Sequence, residues 1–442
     1  MITPEVKPGT GKIDTLTIRN NRKTSSQDLR QLVKELGYYE SIFSPSVSVT
    51  IVIQDGTDMK NSLPIVGGET IDISFSDSFP GTVDIDGGGT MRVYKISDKV
   101  KESDKVDSYT LLCTTNDFIN SHYKTVDRTY TRKSVKSIVS DILKEKFNED
   151  LFNDEEVKTE GIHTFTFTQI NPFKAINQIL LEAQSVQEDR ASSVFCFWQN
   201  NDGYQLQNLD ILLRKEPRKD ETGETLKYAY FTGEVPNDYK FESTRILDVR
   251  ETVSFDFLNG IAEGQYGTMV KYYDPIAKEF RSNQYIHDEN WDDNIHANKN
   301  PLLSKNISEE FGTISTIEKY LTTNAVASEN LYVADRDVNI RTSFRRRQNV
   351  VAGATAIMSR ITNNSIDIIV YGDSRIMAGE TIDITIPTTG QKKKTDELID
   401  NLTSGRYLIT AVKHSISDDE YYTIMTVVKD SYIKNPDRMG DF

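Results

Sequence analysis

The sequence predicts a mainly β, α+β multidomain protein: two β-barrel domains flanking a small α+β domain and an insertion. Three observations carry this. The hexamer Gly-Glu-Thr-Ile-Asp-Ile occurs twice, at residues 68–73 and 379–384, an offset of 379 − 68 = 311. An identical hexamer pair is rare by chance, so an internal repeat is the first reading. Weaker matches follow in the same order: residues 92–96 answer to 406–409 at an offset of 314, and 109–111 to 422–424 at 313. Tyr (21) and Phe (19) are plentiful, as in β-rich proteins. One β unit is therefore expected at each end, with other material between.

Each element follows from local pattern. Residues 14–18 alternate, with Leu16 and Ile18 on one face. The stretch 26–39 is ambiguous, because Leu29, Leu32, Val33 and Leu36 have helical spacing yet lead straight into an extended run. Val47, Val49, Ile51 and Ile53 alternate as a strand, and Ile71, Ile73 and Phe75 line one face of the next. Residues 86–89, Asp-Gly-Gly-Gly, have hairpin chemistry before a strand at 91–96, and a strand at 109–113 ends the first β domain. From residue 114 the texture changes. Val135, Ile138, Val139, Ile142 and Leu143 form a helical stripe after candidate caps at Thr131 and Ser134. Asn171-Pro172 reads as N-cap and first helical residue, and strands follow at 194–198 and 204–206 around the turn 200–203. Alternation resumes at 253–257 and 269–273. The polar, weakly periodic region 280–340 reads as an insertion, and 343–359 as a helix feeding a strand at 366–371. The expected domains are 1–113, first barrel; 114–225, α+β; 226–280, start of the second barrel; 281–341, insertion; 342–430, remainder of the second barrel; and 431–442, a tail.

Bulk properties narrow the function. A chain of 442 residues is too long for one core and fits three or four domains. Cys113 and Cys196 sit in apolar runs and read as buried free thiols rather than a disulfide framework. Met1-Ile2-Thr3-Pro4 lacks signal-peptide character, and no run approaches the ~18 apolar residues of a membrane span, so no stable membrane insertion is expected. The formal charge of −15 disfavours a sequence-independent DNA binder, which needs basic surface to neutralise phosphate.

The search for an active site is nearly empty, and no catalytic, cofactor-binding or metal residue is assigned; the protein is not expected to be an enzyme. His287 and His296 bracket Asp288, Glu289, Asp292 and Asp293, but two histidines nine residues apart match no ligand spacing, and a solvated acidic loop is the better reading. His122, His163 and His414 stand alone. The glycines at 87–89 lack the Lys-Ser/Thr of a phosphate loop. Glu69 and Glu380 invite a two-carboxylate hydrolase, yet as equivalents in two repeat copies they are better read as strand-entry residues. Two basic clusters remain, Arg345-Arg346-Arg347 and Lys392-Lys393-Lys394, either solvated faces or docking surfaces for an acidic partner.

Several blocks resemble the central baseplate hub protein of contractile-tailed bacteriophages, to which the hub half of VgrG-type spikes is related. They are residues 39–45 leading into 48–55 and 63–69; 171–176 followed by 194–198 and 201–204; 341–387; and 406–428. The resemblance covers most of the chain outside 280–340. It implies that the two barrels are tail-tube-like, that three chains form a homotrimeric ring, and that the ring adapts the hexameric tail tube to a trimeric spike protein. It further implies contacts with the tape-measure protein and baseplate wedge proteins, a channel through which DNA is ejected without specific nucleic-acid binding, and a place in the virion tail baseplate after assembly in the host cytoplasm. Nothing after Val428 is long enough for an oligosaccharide-binding fold or a needle, so the spike is expected to be a separate protein. The alternatives are a hub-like tail-associated lysin, and a receptor- or carbohydrate-binding tail protein using Tyr285 and Trp291 of the insertion. The repeat makes one sharp expectation: the strand at 70–75 superposes on that at 381–386 in two barrels of the same topology, each with its own sheet, and a one-residue slip would bury Asp72 and Asp383.

Overall fold

A computed structural model gives the architecture. It describes residues 9–434 except 23, 58, 60–62, 78–81, 85–90, 154–156, 160, 182, 184, 186–193, 221, 232–241, 254, 275–278, 287–290, 292–295, 303–316, 322–352, 389–398 and 419.

The first barrel uses β1 (Gly11–Arg19), β2 (Ser26–Asp28), β3 (Val33–Ser41), β4 (Ser48–Asp55), β5 (Thr70–Asp77), β6 (Thr82–Asp84), β7 (Met91–Ser103) and β8 (Val106–Thr115). The ambiguous stretch 26–39 is thus extended. Leu29 and Leu32, whose spacing suggested a helix, sit in the turn between β2 and β3, closed by the Leu32 N–H donating to the Leu29 carbonyl at 2.8 Å. A middle unit follows, with β9 (Val126–Lys133), β10 (His163–Ile170), β11 (Phe195–Asn200) and β12 (Gly203–Asn208). Its helix Val135–Phe147 is capped by Ser134, whose side chain accepts from the Ser137 N–H. The other candidate cap, Thr131, lies within β9 instead. Helix Pro172–Leu180 begins as expected, the Asn171 side chain accepting from the N–H groups of Phe173 and Lys174. Both helices bury their apolar stripes in one core with Phe197, Tyr204 and Leu206.

The second barrel opens with β13 (Lys227–Tyr230) and β14 (Arg245–Val253). It is interrupted by β15 (Gly267–Asp274), β16 (Glu279–Ile286) and β17 (Ile317–Leu321) and completed by β18 (Ser365–Tyr371), β19 (Thr381–Thr385), β20 (Gly405–Ser417) and β21 (Glu420–Val428). Residues 269–273, expected in the second barrel, fall in β15, which forms a separate three-stranded sheet of order β16-β15-β17. The helix expected over 343–359 is seen at 353–362; residues 343–352 lie outside the described residues.

Strands β19, β13, β14, β18, β21 and β20 close on themselves through a β19–β20 pairing, giving a six-stranded barrel. The first barrel is finished differently. Its path runs β3-β4-β8-β7-β5-β1-β2, and the tip of the β20–β21 hairpin reaches over from the second barrel. Ile416 and Tyr421 are buried in the first core, while Leu408, Val412 and Met425 on the same two strands are buried in the second. Beside β1, the Tyr421 N–H donates to the Gly9 carbonyl at 2.7 Å. Strand β20 also pairs antiparallel with β3, from Ala411 opposite Ser41 to Ser417 opposite Glu35. The two barrels therefore belong to one continuous 14-stranded sheet, not to two sheets as the repeat alone suggested. The reason is length. Strand β20 has 13 residues, and β19 covers only Gly405 to Leu408, so the rest needs another partner for its backbone groups.

The duplication survives this correction in its register. The Gly68 N–H donates to the Val93 carbonyl and the Val93 N–H to the Glu69 carbonyl; Gly379, Ile409 and Glu380 repeat the pattern. The next ladder breaks register between Val93 and Lys95 in one copy and between Ile409 and Ala411 in the other. Strands β3 and β14 share a break too, between Val33 and Glu35 and between Ile246 and Asp248. Val93 thus corresponds to Ile409 at an offset of 409 − 93 = 316, and Cys113 to Val427 at 427 − 113 = 314. Those offsets revise the sequence alignment: Arg92 matches Leu408 rather than Arg406, and Tyr109 matches Thr423 rather than Tyr422. Ile71, Ile73 and Phe75 are buried, as are Ile382 and Ile384, with Ile386 packed at the edge of its core. Asp72 corrects the slip argument, since it is buried in the native register and is tolerated there by an ion pair with Arg19. The topologies differ beyond these shared strands: β1 runs antiparallel to β5, whereas β13 runs parallel to β19, and β2 and β6 have no counterpart in the second barrel among the described residues.

Candidate functional site

The repeated Gly-Glu pair shapes the same turn twice. Gly68 and Gly379 have φ of +85° and +93°, a region that favours glycine. The Glu69 carboxylate accepts from the N–H of Val66 at 2.9 Å and of Gly67 at 2.9 Å. Glu380 accepts from the N–H of Met377 at 3.1 Å, the equivalent of Val66, and from Arg218 Nη1 at 2.7 Å. Both glutamates are thus occupied in closing the turn at strand entry, as their repeat positions suggested. Arg218 also reaches Asp373 at 3.3 Å, and Arg375 Nε bonds Asp373 at 2.8 Å. Against a burial that would raise it, these two guanidinium groups hold the Asp373 carboxyl below its usual range.

Three parts of the chain converge on Glu40 of β3. Its carboxylate accepts from Tyr38 Oη at 2.8 Å, from the Asn201 N–H of the middle unit at 3.0 Å, and from the Ala378 N–H of the second barrel at 3.1 Å. Burial pushes this carboxyl up to about 7. Close by, the buried His414 imidazole donates from Nε2 to the Ile376 carbonyl at 3.1 Å and accepts at Nδ1 from Tyr421 Oη at 2.8 Å. Burial pulls it down to about 4, so it stays neutral. A cleft of about 660 Å³ adjoins this junction, between the middle unit and the second barrel, lined by Trp198, Asn200, Gln205, Lys215 and Gly379 among others.

The expected candidates are not brought together. His122 is exposed, His163 lies on β10, and His414 is a core residue. His296 stacks on Trp291 and pairs with the buried Asp430 at 2.7 Å, tying the interrupting segment to the chain after β21. His287, Asp288, Glu289, Asp292 and Asp293, the glycines at 87–89 and both basic clusters lie outside the described residues. Among the described residues no group of three or more His, Cys, Asp or Glu is placed to hold a metal ion. Cys113 and Cys196 are buried; burial raises both thiols, Cys196 to about 12. Sequence reasoning passed over Glu40, Arg218 and Lys429. The last is buried, donates to the Ser404 carbonyl at 3.0 Å and stacks on Tyr407. For Glu40 and Lys429 the only sequence signal is a charge inside an apolar pattern; Arg218 lies in the charged run 214–220 and gives none.

Comparison with solved structures places this geometry. The tail protein from Neisseria meningitidis MC58 superposes with a TM-score of 0.51 at 10% identity, covering 94% of this chain and 96% of that one. The prophage MuSo2 43 kDa tail protein from Shewanella oneidensis gives 0.50 at 10% identity, over 94% and 97%. The chain has the fold of these phage tail proteins. Prophage tail protein gp18 from Listeria monocytogenes aligns more loosely, at 0.45 and 11% identity. No protein-family model matches the chain, and no curated protein sequence does. Within this fold the most informative site is the joint between the two barrel copies.

Proposed function

We propose that this protein is the structural hub of a phage tail baseplate: a homotrimeric ring that adapts the hexameric tail tube to a trimeric spike and leaves a channel for DNA. The observation that carries the reading is the joint itself. One chain holds two barrels of matching register, set side by side through β3 and β20. Three such chains present six similar barrels, which lets a three-fold ring meet a six-fold tube. The tail-protein fold supports the setting, a virion tail. The domain division belongs to the proposal: 1–113, 114–225, 226–280, 281–341, 342–430 and 431–442, with the second barrel's opening part now ending at β14. Tape-measure and wedge proteins are the further partners of such a ring. Its channel is neutral or acidic, because a basic wall would bind passing phosphates.

Light scattering on the protein mixed with its tail's spike protein tests the reading. A mass containing three copies of this chain, with ring-shaped class averages in the electron microscope, is the expected result. A stable monomer or dimer in the presence of spike overturns it.

A further inference from the structure

Inside one chain the joint is made from two edges: the β3 edge of the first barrel and the outer half of β20 from the second. The repeat supplies a second pair of the same edges. The counterpart of β20 is β7, and the counterpart of β3 is β14, by the matching register breaks described above. Strand β7 has 13 residues like β20, yet β5 covers it only at Met91 and Arg92. On its other side β7 pairs with β8 as far as Ser103. Beyond Arg92, no strand among the described residues takes the edge that in β20 goes to β3. Strand β14 mirrors this: β13 covers it only at Arg245 and Ile246, and past them no strand among the described residues takes the edge that in β3 goes to β20. The outer half of β7 is exposed, with Val100 57% accessible, and so are Asp248, Arg250 and Glu251 on β14. Among the described residues these two edges of complementary direction carry no strand partner; the lysines of β7 and its register breaks between Ser97 and Val100 and between Lys101 and Ser103 blunt that strand against indiscriminate pairing and leave room for a specific partner.

We infer that the partner of these edges is a second copy of this chain: β7 of one copy pairs antiparallel with β14 of the next, repeating between chains the β3–β20 joint found within the chain. Such a contact is head-to-tail, so each chain uses one edge of each kind and a closed ring leaves none over. The inference rests on the ring reading above for closure, but the register comes from the repeat alone. Ser415 lies opposite Gly37 in the internal joint. Ser415 pairs with Tyr422 as Val100 pairs with Ser108, and Gly37 pairs with Thr50 as Arg250 pairs with Asp367. The transferred register therefore sets Val100 opposite Arg250 of the neighbouring chain.

A cysteine pair in the full-length chain tests this. Both positions are exposed, so folding is not expected to suffer, and the two native thiols are buried. Directly opposed strand residues lie about 4.5–5.5 Å apart at Cα, within disulfide range, whereas a two-residue diagonal is about 7–8 Å and outside it. Val100→Cys with Arg250→Cys, oxidised with spike protein present, is expected to yield covalently linked chains on a non-reducing gel, while Val100→Cys with Asp248→Cys yields several-fold less. Oligomers that form without the first crosslink, or equal yield from both pairs, overturn the edge pairing and leave the ring reading standing. A chain that stays monomeric and unlinked with spike present overturns both.

Discussion

The ring of Tyr421 stands edge-on to that of Phe75, with centroids 5.9 Å apart and planes at 88°. One belongs to the last strand of the second barrel and the other to β5 of the first, so the hairpin tip serves as a core element of its neighbour. Tyr421→Ala removes this ring and its hydrogen bond to His414. The expected cost is about 3–5 kcal/mol, in the range for large aromatic truncations. Urea denaturation checks it, and a loss below about 1 kcal/mol would mean that the hairpin only rests on the first barrel.

The two repeat glycines are expected to differ in tolerance. Gly68→Ala meets its nearest obstacle, the Asn21 side chain, at 3.2 Å, so the cost is mainly that of positive φ, about 1–2 kcal/mol. A Cβ on Gly379 would stand 2.6 Å from the Trp198 ring, so Gly379→Ala adds a clash with a buried indole. Thermal melts of the two variants should place Gly379→Ala clearly lower; equal melting temperatures would contradict the packing described.

Glu40 sets a pH dependence. Its folded value, about 7, lies above the 4.5 of an exposed glutamate because burial penalises the carboxylate. The folded state therefore binds the proton more tightly than the unfolded state. Stability from this group is fully present below about pH 4.5 and is lost as pH rises through 7. The full effect is on the order of 3 kcal/mol. Other groups titrate nearby, among them Lys429, which burial pulls down to about 7 and which acts in the opposite sense. The measurement is thus a difference: wild type minus Glu40→Gln, by urea titration at pH 5 and pH 8. The variant is expected to gain relative to wild type as pH rises, and a pH-independent difference would refute the assignment.

Glu69→Ala removes the acceptor of the Val66 and Gly67 N–H groups; both residues are exposed, so water can replace it and the expected cost is about 0.5–1.5 kcal/mol, checked by urea denaturation. Both glutamates accept hydrogen bonds within their own turns, and the proposed structural role asks nothing more of them. Purified protein is expected to leave peptidoglycan intact. Degradation that disappears in Glu69→Ala or Glu380→Ala would reverse that conclusion.

Much of the fold was legible because strand alternation is local. Val47, Val49, Ile51 and Ile53 point into one core, and the duplicated hexamer marked equivalent strands before any coordinates. What stayed hidden depends on distant partners. Leu29 and Leu32 mimic helical spacing, and only the β1–β2 pairing around them makes the stretch extended. The alternation of Val412, His414 and Ile416 announces a strand, but not that its two ends belong to different cores. Glu40 and Ala378 are 338 positions apart, so no window of sequence could have joined them. The repeat offsets drifted for two reasons: the connection between β5 and β7 differs in length from that between β19 and β20, and β7 carries register breaks between Ser97 and Val100 and between Lys101 and Ser103 that β20 lacks.

The shared hairpin also imposes an order on synthesis. Strand β8 ends at Thr115, and Tyr421 follows 421 − 115 = 306 residues later. At ~5–20 residues per second the ribosome needs roughly 15–60 s to bridge that gap. Through this interval the first barrel lacks Ile416, Tyr421 and the β20 partner of β3, so the edge that seats β20 stays open on the nascent chain. A chain cut short before residue 416 would carry an unfinished first barrel. Completion of the far hairpin thus sets when the first barrel can close: its core is whole only in chains translated through both barrels.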